Sequence, residues 1–216
     1  MKNLSIVFFL LFAVNLVTAQ GDQDAVDVSY IIGHQIGTSL DQFKDDIDRD
    51  VLIQALRDGI DGKESRFSQE EAAQKQSRFF QSLQQRQGRD NLATAESFLA
   101  ENGRKEGWTT TASGLQYTVL TAGDGAQPTA EDIVTVHYTG TFIDGKEFDS
   151  SVTRGEPATF PLTGVIKGWT EGVQLMKIGS KFRFAIHPDL GYGPSGRNGI
   201  PSNSLLLFDV ELISIK

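Results

Sequence analysis

The chain has 216 residues, no cysteine, three histidines and 28 acidic against 20 basic side chains, a net charge of −8. That length suits two modest domains. The lack of cysteine excludes disulfides and thiol catalysis, the scattered His34, His137 and His187 show no metal-ligand spacing, and the acidic balance argues against a nucleic-acid partner.

In chain order, the first feature is an address. Lys2 supplies a positive start, and "LSIVFFLLFAVNLV" (4–17) is apolar but short for a membrane span. Val17 and Ala19 set small residues at −3 and −1, which predicts a signal peptide over 1–19, cleaved before Gln20. The alternative is an uncleaved anchor. No cysteine follows the apolar run, so no lipoprotein anchor is predicted, and the mature chain, without Lys2, carries −9. The expected fate is secretion, with no stable membrane anchor.

Residues 24–101 are helical in character. Ile32, Ile36, Leu40 and Phe43 form one helical stripe. "DVLIQALRDGIDG" (50–62) begins at an aspartate cap and runs into Gly62. "SQEE" (68–71) has the form of a capping box, and the Gln-rich stretch after it runs to a C-cap at Asn102-Gly103. So polar a helix predicts a solvated connector, with Gly88 a place where it bends or breaks. Residues 24–62 hold too little apolar surface for an independent core, which points to a homodimer. The predicted divisions are a helical dimerisation region over 20–67, a connecting helix and linker over 68–106, and a second domain over 107–216.

Past "GRKEGWTTTASG" (103–114) the period changes from 3.6 to 2. "LQYTVL" (115–120), "IVTVHYTGTFI" (133–143), "KFRFAI" (181–186) and "SLLLFDVELISI" (204–215) read as strands. Between them "GVIKGWTEGVQLM" (164–176) puts Val165, Ile166, Trp169, Val173 and Met176 on one helical stripe, with Gly179 as a stop. The predicted class is therefore α+β: an antiparallel sheet curled around one short helix, preceded by an all-α region.

Three motifs bear on chemistry. "GYGPSG" (191–196) matches a dinucleotide fingerprint, but Pro194 removes a donor and Pro201 forbids the helix that must follow. "DIDRD" (46–50) lacks the sixth-position glycine and the closing glutamate of a calcium loop, having Val51 and Arg57 instead. In "GTFIDGKEFDSS" (140–151), Asp144-Gly145 signals a two-residue hairpin, which sets Ile143 opposite Lys146 and Tyr138 opposite Ser151. Asp149 is then the diagonal neighbour of Tyr138, within reach of a phenol donating to a carboxylate. Phe148 falls on the other face and reaches the same pocket only through a bulge or strand end.

"VHYTG", "GKEFDSS", "VIKGWTEGVQLMKIGSK", "GYG" and "LLLFDVEL" follow in order over residues 112–216, and in this the chain resembles the FKBP-type peptidyl-prolyl cis-trans isomerases. The helical half, with "VSYIIGHQIGTSL" and "SFLAENGRKEGW", is similar to the dimerising half of the secreted bacterial subgroup, that of macrophage infectivity potentiator. The resemblance implies rotation of Xaa-Pro bonds in exported polypeptides, without cofactor, metal or covalent chemistry, and macrolides as inhibitors. It makes Trp169 the floor of a pocket and Tyr138, Phe148, Val165, Ile166, Ile200 and Phe208 its walls. The Ile166 N–H and the Tyr192 hydroxyl become donors to substrate carbonyls, and Asp149, held by Tyr138 and Arg154, orients the rim. Asp149, Tyr192, Trp169 and Ile166 are thus the implied catalytic set. Two departures touch ligand choice: Ala158 stands where many members have a wall aromatic, and Ser202 where a second proline is common. The competing class is a dimeric chaperone that grips apolar, Pro-containing segments, with turnover incidental.

Overall fold

A computed structural model describes residues 4–216, with side chains from residue 21 onward. The predicted signal peptide 1–19 and its cleavage point before Gln20 therefore fall outside the fully described residues. The chain divides into two compact units, Met1–Ser68 and Gln69–Lys216.

The first unit holds α1 (Leu4–Ser39) and α2 (Arg49–Ile60). The cap of α2 is Asp48 rather than Asp50: its extended backbone (φ −79°, ψ 110°) lets the carboxylate accept from the Asp50 and Val51 N–H groups at 3.1 Å. Among the described residues of this unit none is buried. Val26, Tyr30, Ile31, Ile32, Val51 and Ile60 are 50–85% exposed.

The second unit opens with α3 (Gln69–Asn102), which runs unbroken through Gly88. The expected bend is absent because Gly88 serves a close approach: a Cβ there would stand 2.7 Å from Ser202 Oγ. Nor is α3 solvated throughout. Gly88, Ala95 and Asn102 are buried, Asn102 Nδ2 donates to Gln116 Oε1 at 3.0 Å, and Gln116 Nε2 donates to the Leu99 carbonyl at 2.8 Å. The connecting helix and the sheet drawn as separate pieces from sequence thus share one compact unit.

The strands are β1 (Trp108–Thr110), β2 (Gln116–Thr121), β3 (Ile133–Thr141), β4 (Glu147–Ser150), β5 (Ala158–Pro161), β6 (Lys181–Ile186) and β7 (Leu206–Ile215). They form one antiparallel sheet in the order β1-β2-β6-β7-β3-β4, with β5 also paired to β3. Alternation along β3 and β7 turns Val134, Val136, Tyr138, Leu206, Phe208, Val210 and Leu212 inward, as a half-buried strand requires. Two helices complete the unit, α4 (Ser151–Arg154) and α5 (Lys167–Val173). Gly168 and Gly172 face the sheet at the i, i+4 spacing. A Cβ on either would come within 2.7 Å of Ile186 or Phe184 of β6, so their bareness lets α5 lie close. That seats Trp169, Val173 and Met176 in the core, on the stripe read from the sequence. The α+β class stands as expected.

Candidate active site

The hairpin between β3 and β4 builds one wall. Phe142 N–H donates to the Lys146 carbonyl and Gly145 N–H to the Phe142 carbonyl, both at 3.0 Å. The loop therefore has three residues, Ile143-Asp144-Gly145, not two, and Gly145 takes the left-handed conformation at φ +84° that such loops demand. This shifts the pairing by one residue from the sequence expectation. A β-bulge then restores it: Thr141 pairs with Glu147, Gly140 with Asp149 and Thr139 with Ser150. Phe148 is the extra residue, and the bulge brings it to the pocket that strict alternation denied it. Its ring meets Phe208 edge-on at 5.5 Å. Gly140 makes room for the pair, since a Cβ there would lie 2.7 Å from both rings.

The pocket is a cleft of about 650 Å³. Trp169 sits in it only 4% exposed. Tyr138, Phe208 and Phe160 pack edge-on around the indole, with centroids at 5.2, 5.3 and 5.8 Å, the arrangement that ring quadrupoles favour. Trp169 Nε1 is buried and has no hydrogen-bond partner among the described residues. Val165 and Ile166 precede α5, with Ile166 at its N-cap, and Ile200 and Tyr192 close the far side. Of the residues singled out from sequence, Tyr138, Phe148, Asp149, Val165, Ile166, Trp169, Tyr192, Ile200 and Phe208 all line this cleft. Arg154 does not, but it bonds to two residues that do, Asp149 and Tyr138.

Asp149 Oδ2 accepts from the Tyr138 hydroxyl at 2.5 Å. Arg154 Nη1 pairs with the other carboxylate oxygen, while Arg154 Nη2 donates to Tyr138 Oη at 3.0 Å. The triangle is local in origin: Arg154 ends α4, and Gly155, at φ 82°, turns the chain away behind it. Burial acts to raise the Asp149 carboxyl, but the Tyr138 hydroxyl and the Arg154 guanidinium together hold it below its ordinary value. Burial first, and the neighbouring carboxylate second, push the Tyr138 phenol up. At neutral pH the site therefore carries a fixed carboxylate, a neutral phenol and a fixed guanidinium.

Sequence reasoning missed Phe160, Gly164, Arg197, Asn198 and Gly199, which also line the cleft. Phe160 had a signal: it stands two residues from Ala158 on β5, hence on the same face. It puts an aromatic wall on the strand that Ala158 had suggested was open. Arg197 lies over the Tyr192 ring, 5.6 Å from its centroid, and its Nη1 is 3.5 Å from the Tyr192 hydroxyl. His137 shares a hydrogen bond of 3.1 Å with Ser151 Oγ. Among the described residues no group of His, Asp or Glu side chains is placed to hold a metal ion.

Residues 125–213 match the family model described as FKBP-type peptidyl-prolyl cis-trans isomerase, and residues 25–119 match the domain amino-terminal to it. The chain is 43% identical to the FKBP-type peptidyl-prolyl cis-trans isomerase FkpA of Aeromonas hydrophila, over 90% of this chain and 76% of that one. It is 39% identical to the outer membrane protein MIP of Legionella longbeachae, over 89% and 86% of the two chains. The crystal structure of FkpA from Escherichia coli superposes with a TM-score of 0.74 at 39% identity, covering 90% of this chain and 95% of that one.

Proposed function

The chain belongs to the FKBP-type peptidyl-prolyl cis-trans isomerases, and on that premise we propose that the aromatic cleft over Trp169 is where it rotates Xaa-Pro bonds of exported polypeptides. The observation that supports this most is the edge-on ring of Tyr138, Phe160 and Phe208 around a nearly buried indole. It leaves a flat apolar floor matched to a proline ring.

The chemistry follows from the peptide bond. Its rotational barrier of about 18–20 kcal/mol comes from resonance, which is lost in the twisted transition state. The planar amide is the more dipolar of the two, so a dry aromatic cleft disfavours it relative to the twisted form. The Ile166 N–H and the Tyr192 hydroxyl hold carbonyls on either side of the bond in a turn-like geometry. Asp149, fixed by Tyr138 and Arg154, sets the electrostatics of the rim. A barrier lowered by about 5 kcal/mol accelerates rotation by three to four decades. Uncatalysed exchange takes about 10–100 s, so this matters to a folding chain. Titrating the purified full chain with a short Xaa-Pro peptide tests the assignment. Methyl signals of Val165, Ile166 and Ile200 should shift, and a response confined to other methyl groups would refute it.

The helical unit has a different task. Its exposed Val26, Ile31, Ile32, Val51 and Ile60 lack any covering surface within that unit, and residues 25–119 match the family's amino-terminal domain. A second copy of this chain is the occupant, so the protein works as a homodimer, exported to the periplasm. Among the described residues no helix is long and apolar enough to cross a membrane. For the exported protein, mass spectrometry should find Gln20 at the start, and light scattering at micromolar concentration should give twice the chain mass. Retention of Met1 would refute the address, and a monomer the assembly.

A further inference from the structure

The loop 193–203 has two faces. One closes the cleft with Arg197, Asn198, Gly199 and Ile200, and the other forms, with α3, a groove of about 860 Å³ that shares those four residues. Where loop and helix touch, three contacts coincide. Asn91 Nδ2 donates to the Ser202 carbonyl at 2.8 Å, and Asn203 Nδ2 donates to the Gly88 carbonyl at 3.0 Å. Gly88 lacks the Cβ that would meet Ser202 Oγ at 2.7 Å. Asn203 is the one non-glycine residue with positive φ (53°) among the described residues, so the backbone adopts an uncommon conformation at the clasp.

The loop itself is tied into a body. Arg197 and Ile200 exchange backbone hydrogen bonds at 2.9 and 2.8 Å, and Ser202 Oγ donates to the Pro194 carbonyl at 2.5 Å. A displacement at Ser202 therefore carries to Ile200. We infer that α3 sets the width of the isomerase cleft: Gly88 and Asn91 are positioning residues that fix how far Ile200 stands from Trp169, and so which side chains flanking the proline the cleft accepts. The inference rests on the reading of the cleft as the isomerase site. It gives α3 a part in substrate choice that lies outside the sheet altogether.

The test uses the full-length chain. Alanine is the better helix former, so a purely structural role for Gly88 predicts that Gly88→Ala leaves KM alone. The positioning role predicts instead a KM for an Xaa-Pro peptide changed at least threefold, kcat within about twofold, and a shifted Ile200 δ1 methyl signal. Asn203→Gly, which tolerates the positive φ but deletes the clasp to Gly88, should move both readouts as Gly88→Ala does. Wild-type KM and an unmoved methyl signal in Gly88→Ala would overturn the inference, as would an Asn203→Gly protein with both readouts at their wild-type values. Asp149→Leu separates the two readings: its loss of turnover beside an inert Gly88→Ala rejects only the buttress, while full turnover rejects the cleft assignment beneath it.

Discussion

Replacing Trp169 by alanine should destabilise the sheet unit by about 3–5 kcal/mol and abolish measurable isomerisation. The first effect is a packing effect. The indole is 4% exposed and touches three rings with centroids at 5.2, 5.3 and 5.8 Å. Truncation removes those contacts and opens a void that Tyr138, Phe160 and Phe208, fixed on three different strands, cannot collapse into. For a unit of this size the midpoint of thermal unfolding should fall by roughly 6–20 °C. The second effect must be measured where the variant is still folded. Trp169→Phe discriminates between them, because a phenyl ring keeps much of the platform and should retain more turnover than alanine. A Trp169→Ala protein with wild-type melting and wild-type kcat/KM would remove the indole from both roles.

Much of this site was legible in the sequence because strand and helix periods carry it. The stripe Val165, Ile166, Trp169, Val173, Met176 runs along α5 and the turns on either side of it, and the approximate strand register was enough to bring Tyr138 and Asp149 together. What escaped has particular physical causes. Asp144-Gly145 fits a two-residue loop and a three-residue loop with left-handed Gly145 equally well, and only the hydrogen bond from Phe142 N–H to the Lys146 carbonyl decides between them. The compensating bulge at Phe148 has no local signature, being fixed by packing against Phe208 across the sheet. The second half of α3 misled for a subtler reason. Its Asn91 and Asn102 look like solvated polarity, yet their amides bond to the carbonyl of Ser202, far along the chain, and to the buried Gln116 of β2. Gly88 likewise looks like a helix breaker until Ser202 is seen against it.

Asp149→Leu is expected to do the reverse of Trp169→Ala, sparing the fold and removing the activity. The Asp149 side chain is 44% exposed, so its ion pair with Arg154 is screened and contributes little to stability. After the substitution Arg154 still donates to the Tyr138 hydroxyl, which keeps that polar group paired. What disappears is the fixed negative charge at the rim and the acceptor that orients the phenol. Turnover should fall by about 10–100-fold, equivalent to about 1.4–2.8 kcal/mol in the barrier. The same triangle fixes the pH response of the wild type. Because the folded-state carboxyl is held below its ordinary value of 3.8, the contribution of its charge is complete above that value and is lost only as pH falls through the lower, folded-state one. With the phenol pushed upward as well, kcat/KM should stay flat from about pH 8 down to about pH 5. The most direct measurement is kcat/KM of the wild type and Asp149→Leu on one short Xaa-Pro peptide at pH 7, with circular dichroism to verify the fold. The account predicts matching spectra and at least a tenfold loss; matching spectra with undiminished kcat/KM would contradict it.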